Sequence, residues 1–197
     1  MSIGSCRLVG LDGTHGTGKT SAALALTAEL CQRGIRARYL PEVVRTSPYF
    51  EKGRLAHPGP AGELDVFGEQ IASEQRAAVD SEVLVCDRTL LSAVAYWQVR
   101  VPRPRGWEAA LLGAAMSFVR IYVHVYDAVF LLNEPLHGVN LADGFRQIDP
   151  TFQAQAADAM TRICDDLGVI AHRLPSLDSA DATLSAMVAH LTNLGYL

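Results

Sequence analysis

The sequence predicts an α/β fold in three layers, with helices on both faces of a parallel sheet. Three observations lead there. Short apolar strands alternate with amphipathic helices along the whole chain. Val83–Asp87 (VLVCD) is an unbroken apolar run of the kind buried on both faces of a parallel sheet. Arg7–Asp12 (RLVGLD) runs straight into a glycine-rich turn and then a helix. At 197 residues the chain reads as a single domain, 1–197.

The elements follow in order. After the strand Arg7–Asp12, a helix over Lys19–Arg33 carries Ala22, Ala23, Ala25, Leu26 and Leu30 as an apolar stripe and stops at Gly34. Arg36–Leu40 is a second strand closing on Pro41, and residues 46–62, rich in proline and glycine, read as a loop. A helix is expected over Glu63–Asp80, the third strand at Val83–Asp87, and a helix over Leu90–Gln98. The Pro/Arg loop VRVPRPRG precedes a long helix, Trp107–Tyr122. Ala128–Leu132 and Val169–Leu174 are the fourth and fifth strands. Helices over Thr151–Leu167 and Ser179–Leu194 flank the last of these.

Composition narrows the function classes. Hydrophobic residues at 49% and charged residues at 19% exclude wholesale disorder, and a net charge of −4 argues against a general nucleic-acid binder. Cys6, Cys31, Cys86 and Cys164 are scattered without a CxxC pair, so neither a zinc site nor a disulfide framework is expected. The apolar N-terminal stretch ends at glycines, unlike a signal peptide, and the apolar run Ala109–Val119 stops at Arg120, short of a bilayer's thickness. A cytoplasmic protein that acts neither on nucleic acid nor at a membrane is the expectation.

The chemistry is carried first by Gly13-Thr14-His15-Gly16-Thr17-Gly18-Lys19-Thr20, a full GxxxxGK[ST] match between a strand and a helix. Glycines let backbone N–H groups converge on phosphate oxygens, and the helix N-terminus adds its positive end. Lys19 is placed to reach the β/γ-phosphates and the Thr20 hydroxyl to ligate Mg²⁺, with Ser21 completing the phosphate-binding run. His15 reads as a backbone spacer. At the same sheet edge, Asp87 can hold Mg²⁺ or its waters, and Arg88 can neutralise a transferring phosphoryl group. Glu42, after the second strand, is a candidate to accept an acceptor hydroxyl's proton or to orient a Mg²⁺-bound water, with Arg45 close enough to help hold the acceptor. The segment 134–150 reads as a lid in which Arg146, oriented by Asp143, adds positive charge. Phe67 and Gln70 are candidates for reading an acceptor's ring. Arg100, Arg103 and Arg105 form a basic loop that could touch an anionic acceptor, though prolines and solvation explain it equally well, and Trp97 and Trp107, which could stack on a base, read rather as packing residues.

These motifs resemble the P-loop kinases of nucleosides and nucleotides. Asp87-Arg88 with Ser92, Ala95 and Tyr96 is similar to the thymidylate kinase pattern. Pro41-Glu42 resembles the deoxynucleoside kinase element after the second strand, and Asp143-Gly144-Phe145-Arg146 with Asp149 and Phe152 resembles the lid of nicotinamide riboside kinases. The resemblance implies a five-stranded sheet of order 2-3-1-4-5 and transfer of the ATP γ-phosphate to a small acceptor. It gives phosphate and Mg²⁺ to Lys19 and Thr20, the role of base or metal-water ligand to Glu42, and phosphate clamping to Arg88 and Arg146. With the residue reading above, catalysis is expected of Lys19, Glu42, Asp87, Arg88 and Arg146, Mg²⁺ at Thr20 and Asp87, and the acceptor at Glu42, Arg45, Phe67, Gln70 and Arg88. Relatives of this kind often dimerise through helices flanking the sheet, which allows a homodimer here. Thr89 stands where thymidylate kinases carry an aromatic, and no Pro-Gly-Gly follows Glu42, which argues against thymidylate as acceptor. A switch ATPase acting through a protein partner is the other class considered. For an AAA-type motor the chain lacks room for an extra helical domain.

Overall fold

Strand β1 (Arg7–Asp12) takes the centre of the sheet because both its faces are apolar. Leu8 packs on one side, Val9 and Leu11 on the other, and all three are fully buried. The computed structural model describes residues 5–50, 59–132, 149–174 and 180–197. Around β1 lie β2 (Ala37–Leu40), β3 (Val83–Asp87), β4 (Tyr126–Leu131) and β5 (Ala171–Arg173), all parallel, in the order β2-β3-β1-β4-β5. This is the three-layer P-loop fold and strand order that the resemblance implied.

The helices are α1 (Lys19–Gln32), α2 (Gly59–Ala78), α3 (Leu90–Arg100), α4 (Trp107–Tyr122), α5 (Pro150–Leu167) and α6 (Ala180–Asn193). The alternating side chains of the strands divide the core in two. Leu8, Leu84, Cys86, Val129 and Leu131 meet α2, α3, α4 and α5, whereas Val9, Leu11, Val85 and Phe130 meet α1 and α6. Each fully buried leucine or phenylalanine contributes roughly 1.5–3 kcal/mol.

Several element ends differ from expectation by a few residues, whereas α4 keeps the expected Trp107–Tyr122. Helix α2 begins at Gly59, inside the stretch read as loop, because a proline is tolerated in a helix's first turn, where its missing N–H is not needed. Helix α3 runs on to Arg100. Helix α4 passes through Arg120 to Tyr122 and continues as a 3-10 turn to Val125, so Trp107–Val125 is long and apolar enough, by length and composition, to cross a bilayer. Ala115, Val119 and Tyr122 nevertheless pack it into the core. The expected lid falls outside the described residues, with Asp143 and Arg146. Only its last two residues are seen: the Asp149 side chain accepts from the Thr151 N–H at 2.9 Å and caps α5, with Pro150 in the first turn.

Register brings the chemistry together. Leu11 pairs with Asp87 and Asp12 with Leu131, so the ends of β1, β3 and β4 lie at one edge of the sheet. That edge, at the carboxyl ends of the strands, is where an open α/β sheet binds its ligands.

Candidate phosphate and acceptor sites

The turn from β1 into α1 is built on glycines in backbone conformations that other residues rarely adopt. Gly13 has φ +137°, and a Cβ there would lie 1.9 Å from the Leu132 carbonyl oxygen. Gly16 and Gly18 also take the left-handed region, at φ 76° and 82°, and Gly18 opens α1. Within the turn the Thr17 hydroxyl donates to the Thr14 carbonyl at 3.1 Å. Lys19 folds back over the turn, donating to the same carbonyl and to Thr17 Oγ1 at 3.2 Å. Burial, reinforced by the charge of Arg88, pushes the Lys19 ammonium down to about 7. The turn therefore holds a desolvated cation that an anion would satisfy.

Opposite Lys19, the Thr20 hydroxyl donates to Asp87 at 2.6 Å, and the Tyr39 hydroxyl to the same carboxylate oxygen at 3.1 Å. A hydroxyl and a carboxylate side by side next to a phosphate cradle are the donor set Mg²⁺ takes when phosphates and waters supply the rest. Among the described residues no group of three or more His, Cys, Asp or Glu side chains could hold a metal alone.

Asp12 anchors the next turn. Its carboxylate is fully buried and accepts from the Thr89 N–H at 3.0 Å, the Thr89 hydroxyl and the Ser92 hydroxyl. Thr89 in turn caps α3 through the Leu91 N–H at 3.1 Å. Between them, Arg88 is held at φ 92°, the one described non-glycine residue in the left-handed region. That conformation costs on the order of 1 kcal/mol and marks a constrained position. It is pinned by its N–H to the Leu11 carbonyl at 3.0 Å and by Gln70, which donates to its carbonyl at 3.2 Å.

The Arg88 side chain is the hub. It is 8% exposed, donates to Glu42 and to the Gly13 carbonyl at 3.1 Å, lies 3.4 Å from His15 Nδ1, and stacks 4.8 Å over the Tyr96 ring. Glu42 bridges it to Arg45, whose Nε donates at 3.1 Å. Burial alone would raise the Glu42 carboxyl, but Arg88 and Lys19 outweigh it and hold it at about 2. Burial likewise opposes the Arg88 cation, yet Glu42 keeps its pKa above the ordinary range. His15 is pushed down to about 2 by burial and by Arg88, so its imidazole is neutral.

Two cavities open from this hub. One is lined by the glycine turn, Lys19, Thr20, Ser21, Arg45 and Asp87. The other runs beneath α2 and α3 and is lined by Val43, Val66, Gln70, Tyr96, Glu63 and Arg100 among others. His15, Glu42 and Arg88 line both.

Most of the residues read from the sequence meet here. Phe67 does not line either cavity; it meets Phe118 edge-on at 5.7 Å in the core. Trp97 is buried in the core, as expected of a packing residue, and Trp107 is 64% exposed. Two residues to which the sequence reading gave lesser parts, His15 as a spacer within the phosphate-binding run and Arg100 in the basic loop, belong to the site. His15 is a wall of both cavities. Arg100, expected in a solvated loop with the exposed Arg103 and Arg105, turns inward instead. Its Nη1 donates to both Glu63 oxygens at 3.0 and 3.3 Å, over the rings of Phe50 at 5.0 Å and Tyr96 at 5.2 Å. The signal available was its place at the end of the α3 stripe, four residues beyond Tyr96.

A glycine turn on a helix N-terminus, with a lysine, a threonine and a facing aspartate on an α/β/α sheet, defines a P-loop nucleotide-binding domain. A family described as an AAA domain matches residues 8–181, and the chain belongs to it. That span runs from β1 into α6 and takes in all five described strands. No curated protein matches by sequence. Among solved structures the chain is similar to deoxyadenosine kinase from M. mycoides. The form with products dCMP and a flexible dCDP bound aligns at a TM-score of 0.68 and 14% identity, covering 94% of this chain and 99% of that one. The form with dATP bound aligns at 0.66 and 14%, over the same shares. The fold is that of the P-loop nucleoside kinases.

Proposed function

We propose that the chain is an ATP-dependent small-molecule kinase that transfers the γ-phosphate of MgATP to a hydroxyl of a nucleoside, a nucleoside monophosphate or a nucleoside-like metabolite. The observation that supports this most is the common wall of the two cavities. A cleft lined by the glycine turn and a second pocket beneath α2 and α3 meet at a carboxylate and an arginine, the two groups a phosphoryl transfer between bound partners needs at the junction. The likeness in fold to deoxyadenosine kinase agrees with it.

In this reading the glycine turn and Lys19 bind the β/γ-phosphates, and Thr20 and Asp87 hold Mg²⁺, which would neutralise phosphate charge. Glu42 orients the acceptor hydroxyl and takes its hydrogen bond. Held at about 2, its carboxylate is a weak base, which suits a reaction whose transition state is loose and whose proton leaves late. Arg88 turns from Glu42 toward the transferring group, and Arg146 adds charge from the lid. Neutral His15 excludes water at the junction without adding a competing cation.

The test is ADP formation from MgATP against nucleosides, nucleoside monophosphates and related ribosides. Strong stimulation by one acceptor class establishes the kinase. Slow hydrolysis that no acceptor stimulates would instead mark a switch ATPase working through a protein partner.

A further inference from the structure

Strand β2 sets a phenol against the carboxylate that closes the glycine-turn cleft. Tyr39 pairs with Val85 in the parallel register, so its side chain shares the α1 face of the sheet with Val85 and, one pleat further on, with Asp87. The half-buried ring packs against the core beneath α1, a place that a phenylalanine ring would fill as well. The hydroxyl does something else. It reaches the diagonal neighbour on β3 and donates to Asp87 Oδ2 at 3.1 Å.

The same oxygen takes the Thr20 proton at 2.6 Å. Two donors from different elements, β2 and α1, thus fix the plane of one carboxylate and occupy one of its oxygens. Asp87 Oδ1 has no hydrogen-bond partner among the described residues, and Asp87 lines the cleft. Thr20 has a single proton, and giving it to Asp87 leaves the lone pairs of its oxygen free. What faces the cleft is therefore one carboxylate oxygen and one hydroxyl oxygen, with the second carboxylate oxygen withheld.

Withholding it discriminates between cations. Mg²⁺ takes ligands at about 2.0–2.1 Å in a strict octahedron and keeps several waters, so a single fixed oxygen suits it or its waters. Ca²⁺ takes six to eight oxygens at about 2.3–2.6 Å and commonly uses both oxygens of a carboxylate. We propose that Tyr39 is a positioning residue for the divalent cation: by occupying Asp87 Oδ2 it limits the carboxylate to one oxygen and biases the nucleotide site toward Mg²⁺ over Ca²⁺. This rests on the nucleotide and Mg²⁺ part of the kinase reading above and needs no particular acceptor.

The experiment is calorimetric binding of the β,γ-imido analogue of ATP to wild type and Tyr39→Phe, each in EDTA, in Mg²⁺ and in Ca²⁺. The substitution keeps the ring in the core and removes only the hydroxyl. Wild type is expected to gain more affinity from Mg²⁺ than from Ca²⁺. In Tyr39→Phe the Mg²⁺ gain should shrink by about 10-fold, the lower end of what removing a metal ligand's partner costs, while binding in EDTA stays within about twofold. The Ca²⁺ gain should hold or rise, because both Asp87 oxygens are then easier to engage. An unchanged ratio of the two gains in Tyr39→Phe overturns the proposal. So does an equal loss in all three conditions, which would make the hydroxyl merely structural. Equal gains from Mg²⁺ and Ca²⁺ in wild type overturn it without any variant. Analogue binding that Mg²⁺ does not strengthen in wild type removes the cation from Thr20 and Asp87, and this inference with it. The expected pattern in a protein that phosphorylates no acceptor leaves the inference standing while the kinase reading falls.

Discussion

A methyl group added to β1 at Gly10 should test how tightly the sheet holds the arginine turn. A Cβ there would lie 2.2 Å from Thr89 Cγ2, where carbon atoms need about 3.5–4.0 Å. The next nearest atoms, Thr89 Cβ at 3.7 Å and Tyr126 Cδ1 at 3.8 Å, are at ordinary contact. Thr89 cannot swing its methyl away cheaply, because its hydroxyl is bound to Asp12 and caps α3. Gly10→Ala should therefore destabilise by about 1–3 kcal/mol, the usual cost of overpacking, and displace Arg88 next door. Thr89→Ser removes the offending carbon, keeps the hydroxyl, and should cost about 1 kcal/mol by itself. Combined, the two should be more stable than Gly10→Ala alone, with a coupling energy of at least about 1 kcal/mol. Urea unfolding of the four proteins measures it, and acceptor-stimulated turnover should recover in the same double variant. Additivity to within about 0.5 kcal/mol would refute the argument, since the whole effect is assigned to one pair of carbons.

Three further outcomes are expected. Lys19→Ala should remove most turnover while the circular dichroism spectrum stays that of the folded protein; near-normal rates would sink the phosphate-loop assignment. Glu42→Gln should lower kcat by roughly 100-fold and leave MgATP affinity, read by calorimetry, nearly unchanged or tighter, because Arg88 loses a competing partner; an equal loss in both would make Glu42 merely structural. Glu74 should make the protein less stable as pH rises. Burial lifts its carboxyl from 4.5 to about 7 in the folded chain, so the folded state holds the extra proton between those values. Its contribution is fully present below about 4.5 and is lost as pH climbs through about 7, by about 3 kcal/mol in all. Glu74→Gln should flatten that slope in chemical denaturation between pH 5 and pH 8, and an unchanged slope would show that another group carries it.

The parts of the fold and site that the sequence made legible are those written in adjacent residues. The glycine turn, Lys19 and Thr20 are local, and so is Asp87-Arg88 at the end of an apolar run; their meeting follows once β1 and β3 are neighbours. What stayed hidden is made by side chains far apart in sequence. Glu74 shows no motif, because its partners Tyr122 and Tyr126 come from another helix and another strand. Arg100 looked solvated because prolines and arginines follow it, and nothing nearby in the sequence announces Glu63 or the ring of Phe50. Phe67 was placed on the right helix but not at the right depth, since helical period assigns a face without saying which atoms of it reach a cavity. His15 looked like a spacer because the phosphate-loop pattern leaves that position unspecified.

The wall shared by the two cavities has a thermodynamic consequence. A guanidinium has a limited set of donors, and those of Arg88 face Glu42, the Gly13 carbonyl, Ser92, His15 and the Tyr96 hydroxyl. On the kinase reading, phosphate that draws Arg88 away would release the carboxylate toward the second cavity, and an acceptor that engages the carboxylate would release the arginine toward the first. Occupancy of either pocket would then be communicated to the other without movement of a domain, and whatever factor one ligand exerts on its neighbour's affinity the neighbour must return in equal measure.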